Sequence, residues 1–536
     1  MLRKRKLVCF VIMICIILSS IAGCSNSNKN DEMKYQGEDQ EMSKISQEAS
    51  SEEGVSRNAF ESPDGSIFEN EEIEKKLREA VDSEETIVWI VEGGHMSSKI
   101  PGERLMEINR LLEKKGCSYK LALCYLDDRH VGDYAEAVEK LLEKGYGDIC
   151  YLGSSEKGGK SYPQNVLVRR GYFTQLDDYL NSAAGKKLND AINRQEWESV
   201  KFDGKISVIP NQNILSNRVF VAFSKKYFSR DIRDNFDGDL SHLADYITPE
   251  MKKDLGEFSL IWNMPYTYAL NSMGYWVASD IWGDHMTGEM FAPFSVDKFY
   301  DLEKMLWSCR KAGTISDEMD IAEFFTEQGA AKLTEGRYAI AAFCGSNYLE
   351  KAKKDSYVVE LPYYFAGGNG NNTGIVEKSE KKDGALEIIS ILYTDSEIAN
   401  LLLFGKQGKD YEVKNGCAYD SDGGEYIEAF GCRSVFGIDD IAYTSDTGEF
   451  TPDVREEKKK YFASPHCKTS IFIGFQPDSN KWNYVLDQSD IDFVNVWRED
   501  DFEKEYKKLK SKFIKETEKI KDQMEKQFQE WHRKNG

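Results

Sequence analysis

The clearest hydrophobic pattern lies between Glu71 and Leu152, where two periods alternate. A short amphipathic stretch, Glu71 to Val81, precedes Thr86-Ile87-Val88-Trp89-Ile90-Val91, an apolar run of strand formers that opens into the loop Glu92-Gly93-Gly94-His95. From Pro101 to Lys115, Leu105, Ile108, Leu111 and Leu112 fall on one helical face; a second strand follows at Tyr119–Leu126. A further helix, Tyr134–Lys144, leads to a third strand, Asp148–Leu152. Strands alternating with helices of this length predict βαβ units and a mostly parallel sheet. Ligands of such sheets bind beyond the carboxyl ends of the strands, here Glu92–His95, Asp127–His130 and Gly153–Ser155. At the other end of the chain, Phe502, Tyr506, Leu509, Phe513, Ile520, Met524, Phe528 and Trp531 recur at steps of three, four or seven. That stripe predicts a helix of about eight turns, packed on the body or, alternatively, pairing as a coiled coil.

The N-terminus has a different pattern. Arg3-Lys4-Arg5-Lys6 precedes a run from Leu7 to Leu18, well short of the roughly 20 apolar residues a bilayer span needs. Ile21-Ala22-Gly23-Cys24 closes it with small residues directly before a cysteine. The arrangement resembles a bacterial lipobox. It implies cleavage after residue 23, a diacylglycerol on the Cys24 thiol, and a chain held on the outer face of a membrane. From Ser25 to about Gly65 apolar residues are sparse. Residues 24–65 are therefore expected to be the lipidated cysteine and a disordered acidic tether with an r.m.s. reach of roughly 35 Å.

Composition narrows the function classes. With 70 Lys and Arg against 92 Asp and Glu the formal charge is −22, and a phosphate-binding nucleic-acid surface is excluded. Removing residues 1–23 deletes four basic and no acidic side chains, so the mature charge becomes −26. A hydrophobic fraction of 40% and an aromatic fraction of 12% are enough for sizeable cores. Beyond the signal and Cys24 stand Cys117, Cys124, Cys150, Cys309, Cys344, Cys417, Cys432 and Cys467. Cys117, Cys124 and Cys150 lie in strand-like runs and read as free, buried thiols. No spacing suggests zinc or another metal, and Asp420-Ser421-Asp422-Gly423-Gly424-Glu425 reads as an acidic turn lacking the ligand spacing of a calcium loop. No cofactor motif is present: HExxH, GxSxG, the P-loop and GxGxxG are all missing.

Further along, Gly171-Tyr172-Phe173-Thr174-Gln175-Leu176-Asp177-Asp178-Tyr179-Leu180 and Trp197-Glu198-Ser199-Val200-Lys201-Phe202-Asp203-Gly204-Lys205-Ile206-Ser207-Val208-Ile209-Pro210 resemble segments of the family 1 extracellular solute-binding proteins of ABC importers. Asn372–Ile375, Leu392-Tyr393-Thr394-Asp395, Leu402-Leu403-Phe404-Gly405-Lys406-Gln407-Gly408-Lys409-Asp410-Tyr411 and the closing Lys526-Gln527-Phe528-Gln529-Glu530-Trp531 are similar to the LipO-like subgroup. Ser207, where the family carries an aromatic, and Lys512-Phe513-Ile514-Lys515, in place of an A-G-I-D turn, depart from it. The resemblance implies an α/β, two-lobed periplasmic-binding-protein-like fold of the type II class. Each lobe would be a mixed sheet flanked by helices, with a long C-terminal helix. Lobe 1 is expected over 66–211 plus 366–435 and lobe 2 over 212–365 plus 436–536. The chain would cross near Pro210–Asn213, return near Leu361–Phe365, and cross again somewhere between Cys432 and Phe475.

Candidate ligand contacts come from loops and from aromatic density. Glu92 and His95 follow the first strand, Asn211 and Gln212 follow the hinge proline, Asn347 and Tyr348 follow the apolar run Ala339–Phe343, and Asn369 follows Tyr363–Phe365. Trp262, Tyr266, Trp276 and Trp282 crowd one short segment with Asp284 beside them. A saccharide needs flat aromatic platforms for its C–H faces plus amide and carboxylate partners for its hydroxyls. Each ring taken singly is better explained by core packing; the expectation is that at least one of the four lines the cleft.

The expected function is a lipid-anchored extracellular binding protein, monomeric and non-enzymatic. It would capture a sugar or oligosaccharide by hinge closure and pass it to ABC permease subunits. Binding of a peptide or another polar solute, a surface polysaccharide-degrading enzyme, and a sensory or adhesive lipoprotein are the alternatives.

Overall fold

The structure is a computed structural model. It describes residues 71–92, 100–126, 134–153, 163–211, 218–278, 281–315, 337–344, 349–367, 372–414, 417–421, 454–477 and 496–535, with the short stretches 59–60, 436 and 444–445. The chain opens with β1 (Ala59–Phe60), α1 (Glu71–Asp82), β2 (Thr86–Glu92), α2 (Gly102–Lys114), β3 (Lys120–Leu126), α3 (Tyr134–Glu143) and β4 (Ile149–Tyr151). The helix α4 (Arg194–Ser199) precedes the hairpin β5 (Lys201–Phe202) and β6 (Lys205–Ile206), then β7 (Ile209–Pro210) and β8 (Val219–Ser224). Next come β9 (Leu260–Asn263), α5 (Tyr266–Ser272), β10 (Tyr275–Ala278), β11 (Ile281–Asp284), β12 (Met290–Phe291) and α6 (Asp297–Lys311). They are followed by β13 (Ile340–Cys344), α7 (Leu349–Asp355), β14 (Ser356–Glu360), β15 (Tyr363–Phe365), β16 (Asn372–Ile375), α8 (Lys382–Thr394) and α9 (Ser396–Phe404). The chain closes with β17 (Tyr411–Lys414), β18 (Cys417–Asp420), β19 (Thr444–Ser445), β20 (Cys467–Thr469) and the 34-residue α10 (Phe502–Asn535).

Two sheets carry two cores. The first has the order β1-β3-β2-β4-β16-β7. Its βαβ units run parallel, as the alternating periods predict, but β16 is antiparallel to both β4 and β7. β2 and β3 are buried almost throughout, which is why their sequences are apolar runs and not alternations. The core around this sheet draws on residues 77–209 and 375–418, and on Phe436, whose ring meets Trp89 edge-on at 5.0 Å. Phe436 stands one residue past 435, where the sequence reading ends this lobe. The second sheet, β14-β8-β13-β9, supports a core drawn from residues 219–361 and 496–513.

One expectation is corrected. Ala59–Phe60 pairs in parallel with Leu123 and Cys124 of β3, so the stretch read as tether to residue 65 already holds an edge strand. Its backbone groups are satisfied by the open edge of β3, a partner that composition does not reveal. The apolar stripe of α10 also splits between two surfaces. Phe502, Tyr506 and Phe513 join the second core, whereas Ile520, Met524 and Phe528 pack with Ile281, Met290, Phe472 and Phe475.

A short parallel pair, β15 with β20, lies apart from both sheets, with Tyr363 opposite Cys467 and Phe365 opposite Thr469. Cys117, Cys124, Cys150, Cys309 and Cys344 are free and buried; Cys467 is free and half-buried.

Candidate functional site

Register places the ends of the two sheets. β7 is antiparallel to β16, and β16 to β4, so β7 runs with β4 and β2. Pro210 therefore emerges at the same end as Glu92, Leu126 and Tyr151, the carboxyl ends of the first sheet. In the second sheet β8 is antiparallel to β13 and β14, and β13 is parallel to β9. Arg218, directly before β8, thus shares an end with Cys344, Glu360 and Asn263. The chain leaves one sheet and enters the other through these two ends, which makes the space between them the candidate ligand cleft.

On the first sheet, Glu92 is the last residue of β2 and is buried. Gly153, just past β4, has φ +58°, and a Cβ there would lie 3.1 Å from Glu92 Oε2 and 3.4 Å from the Tyr134 ring. The Tyr134 hydroxyl donates to the Tyr151 carbonyl at 2.7 Å. Burial raises both phenol pKa values, and the nearby Glu92 charge adds to the effect. Glu92 thus sits under the strand ends among phenols and does not project from a loop.

The base of the cleft is a hydrogen-bonded junction. Asn211 is buried; its Nδ2 donates to Thr373 Oγ1 at 2.9 Å, and the Tyr393 hydroxyl meets its Oδ1 and the Pro210 carbonyl. This residue, read from sequence as a ligand contact, ties β7, β16 and α8 together. On the β15–β20 side, Asn271 Oδ1 accepts the Tyr364 N–H and its Nδ2 donates to the Tyr364 carbonyl, both at 2.9 Å. His285 stacks flat on Tyr364 at 4.8 Å, with Nδ1 2.7 Å from Ser470 Oγ and Nε2 3.2 Å from Asn271 Nδ2. Burial depresses the imidazole pKa to about 3, against the smaller opposing pull of Asp284. The ring is neutral at ordinary pH.

The aromatic segment divides by strand geometry. In the β10–β11 hairpin Trp276 stands opposite Gly283, and Val277 opposite Trp282. Successive side chains take opposite faces, so Trp276 and Trp282 point apart. Trp282 is fully buried and packs edge-on against Phe299 at 5.0 Å. Trp276 is half-buried and lies flat on Phe472 at 4.5 Å; a Cβ on Gly283 would be 2.6 Å from that phenylalanine ring. Trp262 and Tyr266 are core residues, and the Tyr266 hydroxyl donates to the buried Glu303. Trp262, Tyr266 and Trp282, read from sequence as ligand contacts, are buried in the second core, whereas Trp276 is half-buried. Asp284 is engaged in a turn, its Oδ1 accepting the N–H groups of Met286 at 2.8 Å and Thr287 at 2.7 Å.

His95, Gln212, Asn347, Tyr348, Asn369 and Cys24 lie outside the described residues. Two site residues were not legible in the sequence. Arg218 and Glu360 form a two-pronged ion pair, 2.8 and 2.9 Å, at the cleft end of the second sheet. Their signal was a charge bounding each apolar run, which single positions cannot distinguish from an ordinary strand end. Among the described residues no cluster of His, Cys, Asp and Glu could hold a metal ion.

The fold is that of the two-lobed solute-binding proteins. The crystal structure of the N-glycan transport solute binding protein NgtS from Streptococcus pneumoniae superposes with a TM-score of 0.51 at 18% identity, covering 84% of this chain and 99% of that one. Its complex with Man1GlcNAc gives a TM-score of 0.46 over the same 84% of this chain and 100% of that one, at 18% identity. A curated relative, the carbohydrate ABC transporter substrate-binding protein of Streptococcus pneumoniae serotype 4 (strain ATCC BAA-334 / TIGR4), is 23% identical over 336 residues. That match covers 59% of this chain and 63% of the relative, less than two thirds of its length. No family model matches the chain.

Proposed function

We propose that this protein is the binding component of a carbohydrate importer. It captures a sugar or oligosaccharide between its lobes, closes about the β15–β20 side, and presents the closed form to an ABC permease. No bond is broken. The observation that carries the reading is the half-buried Trp276, backed by Phe472 and set beside the junction of Asn271, His285 and Tyr364. A ring held flat from behind offers its free face to the C–H face of a pyranose at low cost in side-chain entropy. The relative bearing a carbohydrate-transport name supports the same substrate class. A diacylglycerol on Cys24 would hold the protein at the outer membrane face, a role supported by the basic, apolar and small-residue order that precedes it.

The test is a thermal-shift panel on the chain from Ser25, with mono- and oligosaccharides and peptides as probes. A saccharide at 100 Kd should add about 2.7 kcal/mol of apparent stability. A shift with peptides and none with any saccharide would overturn the substrate class. Steady release of product from a saccharide would overturn the non-enzymatic reading.

A further inference from the structure

The Leu402–Tyr411 segment is conspicuous in the sequence. It forms one wall of a groove of about 460 Å³ on the outer face of the first lobe, between α2 and α9. Leu111, Leu401 and Tyr411 supply its apolar lining. The two helices run in opposite directions. Lys115, just past α2, pairs with Asp395 at 2.6 Å and Glu397 at 2.9 Å, while Arg104 near the start of α2 donates to the Leu402 and Leu403 carbonyls. Because α2 starts beyond the carboxyl end of β2, the Gly405–Asp410 turn stands at the cleft end of the lobe.

That turn is rigid. Asp410 Oδ2 accepts the Lys406 N–H at 2.7 Å, and the Asp410 N–H returns to the Lys406 carbonyl at 2.8 Å. Gly405 has φ +87°, and a Cβ on it would meet Asp410 Oδ2 at 2.5 Å. Lys406 and Gln407 are exposed to solvent on this turn.

Charge gives the groove a direction. Its two acids are already paired, Glu107 with Arg110 at 3.0 Å and Glu397 with Lys115. Lys114 and Lys406 have no ion-pair partner among the described residues, and they lie towards opposite ends of the groove. The α2 side of the groove runs from Glu107 to Lys114, seven residues further on, or roughly 10 Å at 1.5 Å per residue. A trough with an apolar strip of Leu111, Leu401 and Tyr411 and an unpaired lysine towards each end is complementary to an amphipathic segment of about two helical turns carrying acidic side chains near both ends.

We infer that this groove docks such an acidic amphipathic segment on the outward face of the permease, and that Lys114 and Lys406 fix its register. The inference rests on the importer reading above. Its placement outside the cleft leaves the mouth free for transfer, and its position at the cleft end of one lobe exposes it to the geometry of closure.

The test pairs Lys114→Glu/Lys406→Glu with the double Arg variant, both in the full chain in intact cells, and places a photo-cross-linking side chain at Gln407. Purified charge-reversed protein should bind the saccharide found in the thermal-shift panel within twofold of wild type. Uptake of that saccharide should fall at least tenfold, the Arg pair should restore it, and Gln407 should cross-link to an integral membrane subunit of the transporter. Wild-type uptake by the charge-reversed protein, or cross-links from Gln407 only to soluble or cell-wall polymer partners, would overturn the docking surface while leaving the importer reading intact. If no saccharide binds wild type, the importer reading fails and the docking inference fails with it.

Discussion

Glu303, wholly buried in the second core, accepts the Tyr266 hydroxyl on one oxygen and the Trp497 N–H on the other. Burial raises its carboxyl pKa to about 8, against the downward pull of those hydrogen bonds. The folded state therefore holds this proton more tightly than the unfolded chain, whose value is near 4.5. The stability it contributes is complete below about pH 4.5 and is lost as pH rises through about 8. Glu303→Gln should flatten the fall in urea midpoint between pH 5 and 8. His285 has the opposite sign: with a folded pKa of about 3 against an ordinary 6.5, its contribution is present above pH 6.5 and lost as acid is added. The tryptophans separate in the same way. Trp276→Ala should raise the saccharide Kd about tenfold, roughly 1.4 kcal/mol, with little change in melting temperature. Trp282→Ala should instead cost about 3–5 kcal/mol of stability by opening a cavity, measured by denaturant unfolding. Density of aromatic residues pointed to this segment. It could not separate the half-buried ring from the core rings, because that depends on which hairpin face meets Phe472, about 190 residues later in the chain.

At the level of elements, the long helices show what periodicity conveys. The stripe on α10 was legible from Phe502 to Trp531, but the sequence had no way to indicate that its second half meets β11, β12 and the Phe472–Phe475 turn. Phe528 is held there by Phe472 at 4.6 Å and Phe475 at 5.2 Å, and its ring occupies the space a Cβ on Gly288 would need. Phe528→Ala should destabilise the protein by about 3–5 kcal/mol, read as a lower denaturant midpoint. The helix α9 depends on a local signal. Asp395 Oδ1 accepts the N–H groups of Glu397 at 3.1 Å and Ile398 at 3.2 Å, and the same carboxylate pairs with Lys115. Asp395→Ala should cost roughly 0.5–2 kcal/mol through loss of the cap.

Across the whole molecule, α4 of the first lobe is stitched to the segment around β20. Lys458 meets Glu196 at 2.7 Å, Gln195 donates to Thr469 Oγ1 at 3.0 Å, and Gln476 donates to the Ser199 carbonyl at 3.2 Å. The end of α10 also reaches the β5–β6 hairpin, where a Cβ on Gly204 would lie 3.1 Å from Asn535 Oδ1. Closure about the β15–β20 side, as proposed, would have to keep these contacts. Saturating saccharide should lower the radius of gyration in small-angle scattering, and an unchanged value at full occupancy would contradict closure. Replacing Cys24 by Ala should release the protein from the membrane fraction.

Local order in the sequence determined the first βαβ units, the long terminal helix and the kind of ligand worth seeking, because each depends on periods of two or 3.6 residues within a single segment. Tertiary structure decided the rest. β20 is three residues long, Cys-Lys-Thr, and becomes a strand only by pairing with Tyr363–Phe365 about a hundred residues earlier. His285, Asn271, Tyr364 and Ser470 are unremarkable singly and form a junction only when four segments converge. Trp276 stayed half-buried, and Trp262, Tyr266 and Trp282 became core, through packing between residues distant in sequence, and no local pattern encodes which side of a strand will be covered.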